Sequence, residues 1–108
     1  MSLQTLEGAP VSGGIVSGPV RIVKDPADAL AVQPGEIVVV PHSHPEYAIG
    51  LMLAAGLICE SGGIISHICT VALELGIPCV TEVPGAMSLL KTAMHVTVDG
   101  SQGVIYES

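Results

Sequence analysis

Residues 62–80 read GGIISHICTVALELGIPCV, and the rest of the chain can be organised around them. Ile68, Val71, Ala72 and Leu75 recur at i, i+3, i+4 and i+7, the apolar stripe of a helix over His67–Leu75. Gly76 supplies a residue able to turn left-handed after the last turn, and Pro78 blocks continuation. Two glycines lead into Ser66-His67, so His67 falls on the first turn, and with Thr70 and Glu74 it lies off the apolar stripe. First-turn N–H groups have no intrahelical partner, and the helix dipole adds about half a positive charge there. Gly62 and Gly63 let the backbone approach an anion closely, so both are candidate phosphate contacts. A phosphoryl group on a ring nitrogen of His67 would meet donors rather than repulsion. The plainer alternative is a surface histidine beside an ordinary glycine turn, and the Gly-Gly-x-x-Ser-His spacing alone does not choose between them.

Outward from this helix, glycine and proline divide the chain into short elements. Strands are expected at Val20–Val23, Ile37–Val40, Leu57–Cys59, Cys79–Thr81, Val96–Val98 and Val104–Tyr106, all rich in β-branched residues. Residues 99–103, Asp-Gly-Ser-Gln-Gly, read as the hairpin loop joining the last two. Two further helices are expected, at His44–Ala55 and Ala86–Lys91. The first opens with a capping box, Ser43 as N-cap and Glu46 at N3, and carries a stripe of Ala48, Leu51, Met52 and Ala55. Strands early and late with helix–strand alternation between them predict a mixed α/β layer arrangement.

At 108 residues the chain has the size of one domain, expected to span 1–108. Hydrophobic residues make up 49% and charged residues 12%, without Trp or Phe, so the core is built from Val, Ile, Leu, Ala and Met. No apolar run reaches the ~18–20 residues needed to span a membrane, and no basic segment opens the chain, so cytoplasmic residence is expected. Cys59, Cys69 and Cys79 are odd in number and lack a close pair, which points to buried reduced thiols rather than a disulfide framework or zinc site. Net charge is −7, with only Arg21, Lys24 and Lys91 as cations. Nucleic-acid binding normally needs a basic patch and is disfavoured. Phosphoryl transfer depends on Arg, Lys or Mg²⁺ to spread the moving charge, and no such cluster exists here. The chain can hold a phosphate but lacks the cations to drive its transfer.

Other candidates carry two readings each. Ser66 can hydrogen-bond His67 or its phosphate, or serve as the helix N-cap. Glu60 can hold the second imidazole nitrogen or be a solvated carboxylate. Glu74 reads as surface. His42 and His44 have metal-ligand spacing on an extended strand end but no evident third ligand, so no metal site is assigned.

The 62–80 segment resembles the phosphohistidine signature of the mobile, or swivelling, domain of the phosphoenolpyruvate-utilising enzymes. That family includes pyruvate phosphate dikinase, phosphoenolpyruvate synthase and enzyme I of the sugar phosphotransferase system. Its approximate pattern is Gly-Gly-x-Thr-Ser/Cys-His-x-Ala-x-x-Ala-Arg-x-x-Gly-Ile-Pro-x-Val. Gly62, Gly63, Ser66, His67, Ala72, Gly76, Ile77, Pro78 and Val80 match in register. Leu6-Glu7-Gly8 and the run from Ser12 to Val20 resemble the family's opening strands. Val96-Thr97-Val98-Asp99-Gly100 with Gly103-Val104 resembles its closing hairpin. The chain departs from the pattern at Ile65 for Thr, Cys69 for Ala, Leu73 for Arg, and Thr81-Glu82 for Val/Ser-Gly. His44-Pro45-Glu46 stands where Thr-Pro-Asp/Glu is common.

The resemblance implies a compact β/β/α swivelling phosphohistidine domain with His67 as the phosphorylated residue and Ser66 beside it. In the resembled enzymes this domain moves between a nucleotide-binding domain and a phosphoenolpyruvate/pyruvate-binding barrel. A chain of this length holds neither, so it is expected to be a phosphotransferase component without a complete active site. No cofactor is assigned to it, and Mg²⁺ with nucleotide or phosphoenolpyruvate is expected on a partner. The expected partner is a nucleotide-binding or phosphoenolpyruvate/pyruvate-binding subunit, with neither nucleic acid nor membrane involved. Two alternatives stay open: a non-catalytic interaction or regulatory module that keeps the fold, and a small metal-binding protein using His42 and His44.

Overall fold

The computed structural model describes residues 5–108. Eight strands are present: β1 Leu6–Glu7, β2 Ala9–Ser12, β3 Ile15–Ile22, β4 Ile37–Val40, β5 Gly56–Cys59, β6 Cys79–Thr81, β7 His95–Asp99 and β8 Val104–Glu107. They form one sheet in the order β1-β8-β7-β3-β4-β5-β6-β2. Strands β3 to β6 run parallel to one another. The pairs β3–β7, β7–β8, β1–β8 and β2–β6 are antiparallel. Three α-helices complete it, α1 Ala48–Leu51, α2 His67–Leu75 and α3 Ala86–Leu89, with 3-10 turns at Pro26–Ala31 and Pro45–Tyr47.

Strands β1 and β2 lie at opposite ends of the strand order yet are separated in sequence by Gly8 alone. The sheet must therefore curl until its two ends meet at that residue. A Cβ on Gly8 would strike the Thr81 carbonyl, and Gly8 N–H donates to Gly103 O at 2.9 Å. Only glycine fits the joint.

The β4 run Ile-Val-Val-Val is buried along its whole length, as expected of a parallel strand covered on both faces. Its alternation divides the core in two. Ile37 and Val39 join Val20, Ile58, Val80, Val96, Val98 and Ile105 inside the curl, closed by Val83, Ala86 and Leu90. Val38 and Val40 face the other way with Leu57, Cys59 and Cys79, under Ala29, Val32, Tyr47, Leu51, Ile68, Cys69 and Ala72. Each fully buried Val, Ile or Leu side chain contributes roughly 1.5–3 kcal/mol.

Strands Ile37–Val40 and Cys79–Thr81 and helix His67–Leu75 fall where the sequence places them. The β7–β8 loop is the expected hairpin turn, in which Asp99 Oδ1 accepts from Ser101 N and Gln102 N, both at 3.0 Å. The stripe of α2 is displaced by one position. Ile68, Cys69 and Ala72 are buried, whereas Leu75 is 41% exposed.

The long helix expected at His44–Ala55 is replaced by a 3-10 turn running into the four-residue α1. Beyond Leu51 the backbone bonds elsewhere: Gly35 N–H donates to Leu53 O and Ala55 N–H to Glu36 O. The loop ahead of β4 thus captures the groups that would continue the helix, and Met52 is left exposed. The expected capping box is absent as well. His44 is the N-cap, its Nδ1 accepting from Glu46 N at 3.1 Å, because Pro45 fixes the first helical position one residue after it. No helix of the described residues is long and apolar enough to cross a membrane.

Candidate functional site

The loops that follow β4, β5 and β6 converge at the carboxyl ends of the parallel strands, where open α/β sheets commonly place their ligands. They supply Ser43, the stretch 60–66 leading into α2, and Glu82. Glu60 N–H bonds to Val40 O at 2.9 Å and Ser61 N–H to Pro41 O at 3.2 Å, which fastens the second loop to the first. The chain then turns through Gly62 and Gly63, with φ of 146° and 73°. These values lie in the region that favours glycine.

His67 is the first residue of α2, and its side chain is exposed. Its ring makes no hydrogen bond among the described residues. Ser66 occupies the N-cap position in extended conformation, but its side chain forms no cap bond. That bond comes from Ser43, whose Oγ accepts from Ile68 N at 3.2 Å across 25 residues of sequence. Ser66 Oγ is buried, and with Thr81 Oγ1 it lacks a hydrogen-bond partner among the described residues. Both lie against sulfur: Ser66 beside Cys69, Thr81 beside Cys59 and Cys69. Thiols are weak partners, and these contacts fall short of good hydrogen-bond geometry.

The sequence reading anticipates buried free thiols, and all three are buried and free; that they gather beneath one helix was not legible. Burial pushes the Cys59 thiol up to about 11. The neighbouring Cys69 raises the Cys79 thiol, with burial adding to the effect.

Glu60 neither contacts the imidazole nor stands free in water. Its Oε1 accepts from Met87 N at 2.9 Å and caps the start of α3. Glu74 is exposed, as expected. His42 and His44 pack their rings on Tyr47 at centroid distances of 5.8 and 5.6 Å. No group of three metal-ligating side chains gathers around them among the described residues.

Glu82 is the residue that sequence reasoning left without a role. Its Oε1 accepts from Gly62 N at 3.0 Å and from Gly63 N at 2.7 Å. These bonds, Gly63's first, hold its carboxyl below the usual range although the side chain is exposed. Its backbone adopts φ 56°, which costs a non-glycine residue roughly 1–2 kcal/mol. The signal in the sequence was the replacement of the pattern's glycine at this position; that its carboxylate reaches back to residues 62 and 63 was not readable. Two large apolar side chains flank the histidine in the open, Ile64 at 51% and Ile65 at 94% exposure. Arg21 is committed to Glu36 through paired bonds of 3.0 and 2.9 Å, and Glu36 precedes β4, at the opposite end from these loops. No Lys or Arg side chain bonds to residues 60–67 or to Glu82 among the described residues.

An exposed histidine opening a helix, behind two glycines and at the carboxyl ends of parallel strands, defines a class of domain, and comparison with known proteins identifies it. Residues 32–103 match the model of the PEP-utilising enzyme mobile domain, and the chain belongs to that family. It is 38% identical over 102 residues to the phosphoenolpyruvate synthase of Pyrococcus furiosus, a match covering 94% of this chain and 12% of that protein. An uncharacterised protein of Mycobacterium tuberculosis is 42% identical over the same length, with the same coverage. The chain therefore spans only about an eighth of these relatives. Among solved structures, an enzyme I fragment superposes with TM-score 0.64 at 23% identity, covering 74% of this chain and 33% of that one. Aconitase X of Thermococcus kodakaraensis superposes with TM-score 0.73 at 21% identity, covering 97% and 98%. At these identities the likeness is one of fold.

Proposed function

We propose that the chain is a phosphocarrier, accepting a phosphoryl group on a ring nitrogen of His67 at one partner active site and delivering it at another. The observation that carries this reading is the placement of His67, exposed and free of hydrogen bonds on the first turn of α2, in a chain of this family. Ser66 and the amides of Gly62 and Gly63 lie in the turn ahead of His67 and are the groups proposed to receive phosphoryl oxygens. The name of the Pyrococcus furiosus relative suggests phosphoenolpyruvate on one side of the exchange; a pyruvate- or nucleotide-linked site is the expectation for the other. Both would be bound by partner domains or subunits, together with Mg²⁺, in the cytoplasm.

A helix terminus contributes on the order of 0.3–2 kcal/mol toward an anion. A single trans arginine in comparable chemistry contributes a factor of about 10³–10⁵. With Arg21 tied to Glu36 and no cation at the site, the larger contribution has to come from outside the chain. The purified chain should stay unlabelled with ATP·Mg²⁺ or phosphoenolpyruvate alone and take up one acid-labile, alkali-stable phosphoryl group when its partner is added. His67→Ala should abolish that label and leave thermal unfolding unchanged. Label persisting in His67→Ala would overturn the assignment. A non-catalytic module is the second reading, favoured by Glu82 on the glycine amides, and it predicts no label with any partner.

A further inference from the structure

The two amides that a phosphoryl group would use are already filled. One oxygen of Glu82 takes both Gly62 N–H and Gly63 N–H, at 3.0 and 2.7 Å. Successive backbone N–H groups converging on one oxygen form an anion-binding nest. Here the anion is supplied by the chain itself. The side chain is exposed, so no burial forces this contact, and an unattached glutamate would be free to explore many rotamers. Its backbone holds a left-handed conformation that glycine would adopt without strain. The strained backbone therefore presents a carboxylate where a glycine would present nothing. The surroundings shift in the same direction, since Ile65 and Leu73 are exposed apolar residues where the family pattern has Thr and Arg.

We propose that Glu82 is a positioning residue, an internal anion that holds the Gly62–Gly63 turn at rest and must leave its two amides before they can bind phosphate oxygens. That the leaving is coupled to a phosphoryl group on His67 rests on the carrier reading above; that Glu82 excludes other anions from the amides does not. The Ser66 N–H to Gly63 O bond of 3.4 Å closes the turn directly ahead of His67, so the residues that Glu82 holds lead straight into the start of α2.

Amide spectra of the ¹⁵N-labelled full chain, titrated with inorganic phosphate, test this. In the unmodified protein the Gly62 and Gly63 signals should barely move. In Glu82→Gly, which suits the positive φ, they should shift saturably, with an apparent Kd at least tenfold lower. Glu82→Gln keeps the shape without the charge and gives a second route should the glycine variant fold poorly. The same shift should persist in His67→Ala/Glu82→Gly, which separates this proposal from the carrier reading. Equal response in the unmodified protein and the Glu82 variants, or no response at these two amides in any of them, would overturn it.

Discussion

The two ends of α2 solve the same problem by different means. At the carboxyl end the spare carbonyls are satisfied locally: Gly76, at φ 74°, donates to Leu73 O at 3.1 Å and Ile77 N–H donates to Ala72 O at 3.2 Å. This is the Schellman arrangement, completed within six residues of sequence. At the amino end the side chains that cap and brace the helix are not local. The adjacent Ser66 makes no cap bond, Ser43 reaches in from another loop, and the preceding turn is held by Glu82. A helix end with only a structural task can be closed by its own neighbours. The end that carries His67 is held by side chains from the loops after two other strands.

The comparison can be broken most severely through the core beneath the helix. Ile68→Ala at the amino end should cost about 2–5 kcal/mol in denaturant unfolding, because Ile68 is fully buried. Leu75→Ala at the other end should cost no more than about 1 kcal/mol, since that side chain is 41% exposed. Comparable losses would show that the two ends are packed alike.

The two glycines offer a matched pair. Gly63 and Gly76 have φ of 73° and 74°, and a Cβ at either would meet no other atom within 4 Å. Alanine at each should therefore cost about 1 kcal/mol, backbone strain less the entropy removed from the unfolded chain. Only Gly63→Ala should also lower phosphorylation with a partner present. If Gly76→Ala lowers it equally, the functional asymmetry of the ends is lost.

Serine substitutions sharpen the contrast further. Ser43→Ala should destabilise by about 1 kcal/mol, the usual worth of a cap, although Ser43 lies far from α2 in sequence. Ser66→Ala removes a buried hydroxyl that has no hydrogen-bond partner among the described residues and should be neutral or slightly stabilising in thermal melts. The reverse order would restore the local cap expected from sequence.

The smallest effect is in pH dependence. The Glu82 carboxyl is held below its usual range by Gly63 and Gly62. A group depressed in the folded state adds stability that is fully present above its unfolded value and fades as pH falls through its folded one. The stability difference between the unmodified protein and Glu82→Gln should therefore be largest near neutrality and shrink below about pH 4. A difference that does not vary with pH would mean the two amides gain nothing from the charge.

What was legible in the sequence follows the same division. Elements whose stabilising groups are adjacent could be read residue by residue: Ile37–Val40 from its β-branched run, α2 from its period and Gly76, the β7–β8 hairpin from Asp99 and Gly100. The Asp25-Pro26 pair is an equally local signal for the 3-10 turn at Pro26–Ala31, where Asp25 accepts from Ala27 N and Asp28 N. Strand β3 is longer than its apolar stretch because Ser17, Gly18 and Pro19 conceal the amino-terminal half, which is fixed by pairing with β7. At the site, His67 and the glycines were visible as types. The roles of Ser43, Glu60 and Glu82 depend on contacts across 19–27 residues, and no local pattern encodes them.

The curl of the sheet at Gly8 bears on what the molecule can adhere to. An open sheet ends in rows of unpaired N–H and C=O groups, which invite pairing with any strand they meet. Here the two outermost strands are only two and four residues long and are drawn to the same corner by a single glycine. A sheet joined in this way leaves little exposed backbone to adhere to a foreign strand. The same joint lies against the candidate site, since a Cβ on Gly8 would come within 3.0 Å of the Glu82 carbonyl.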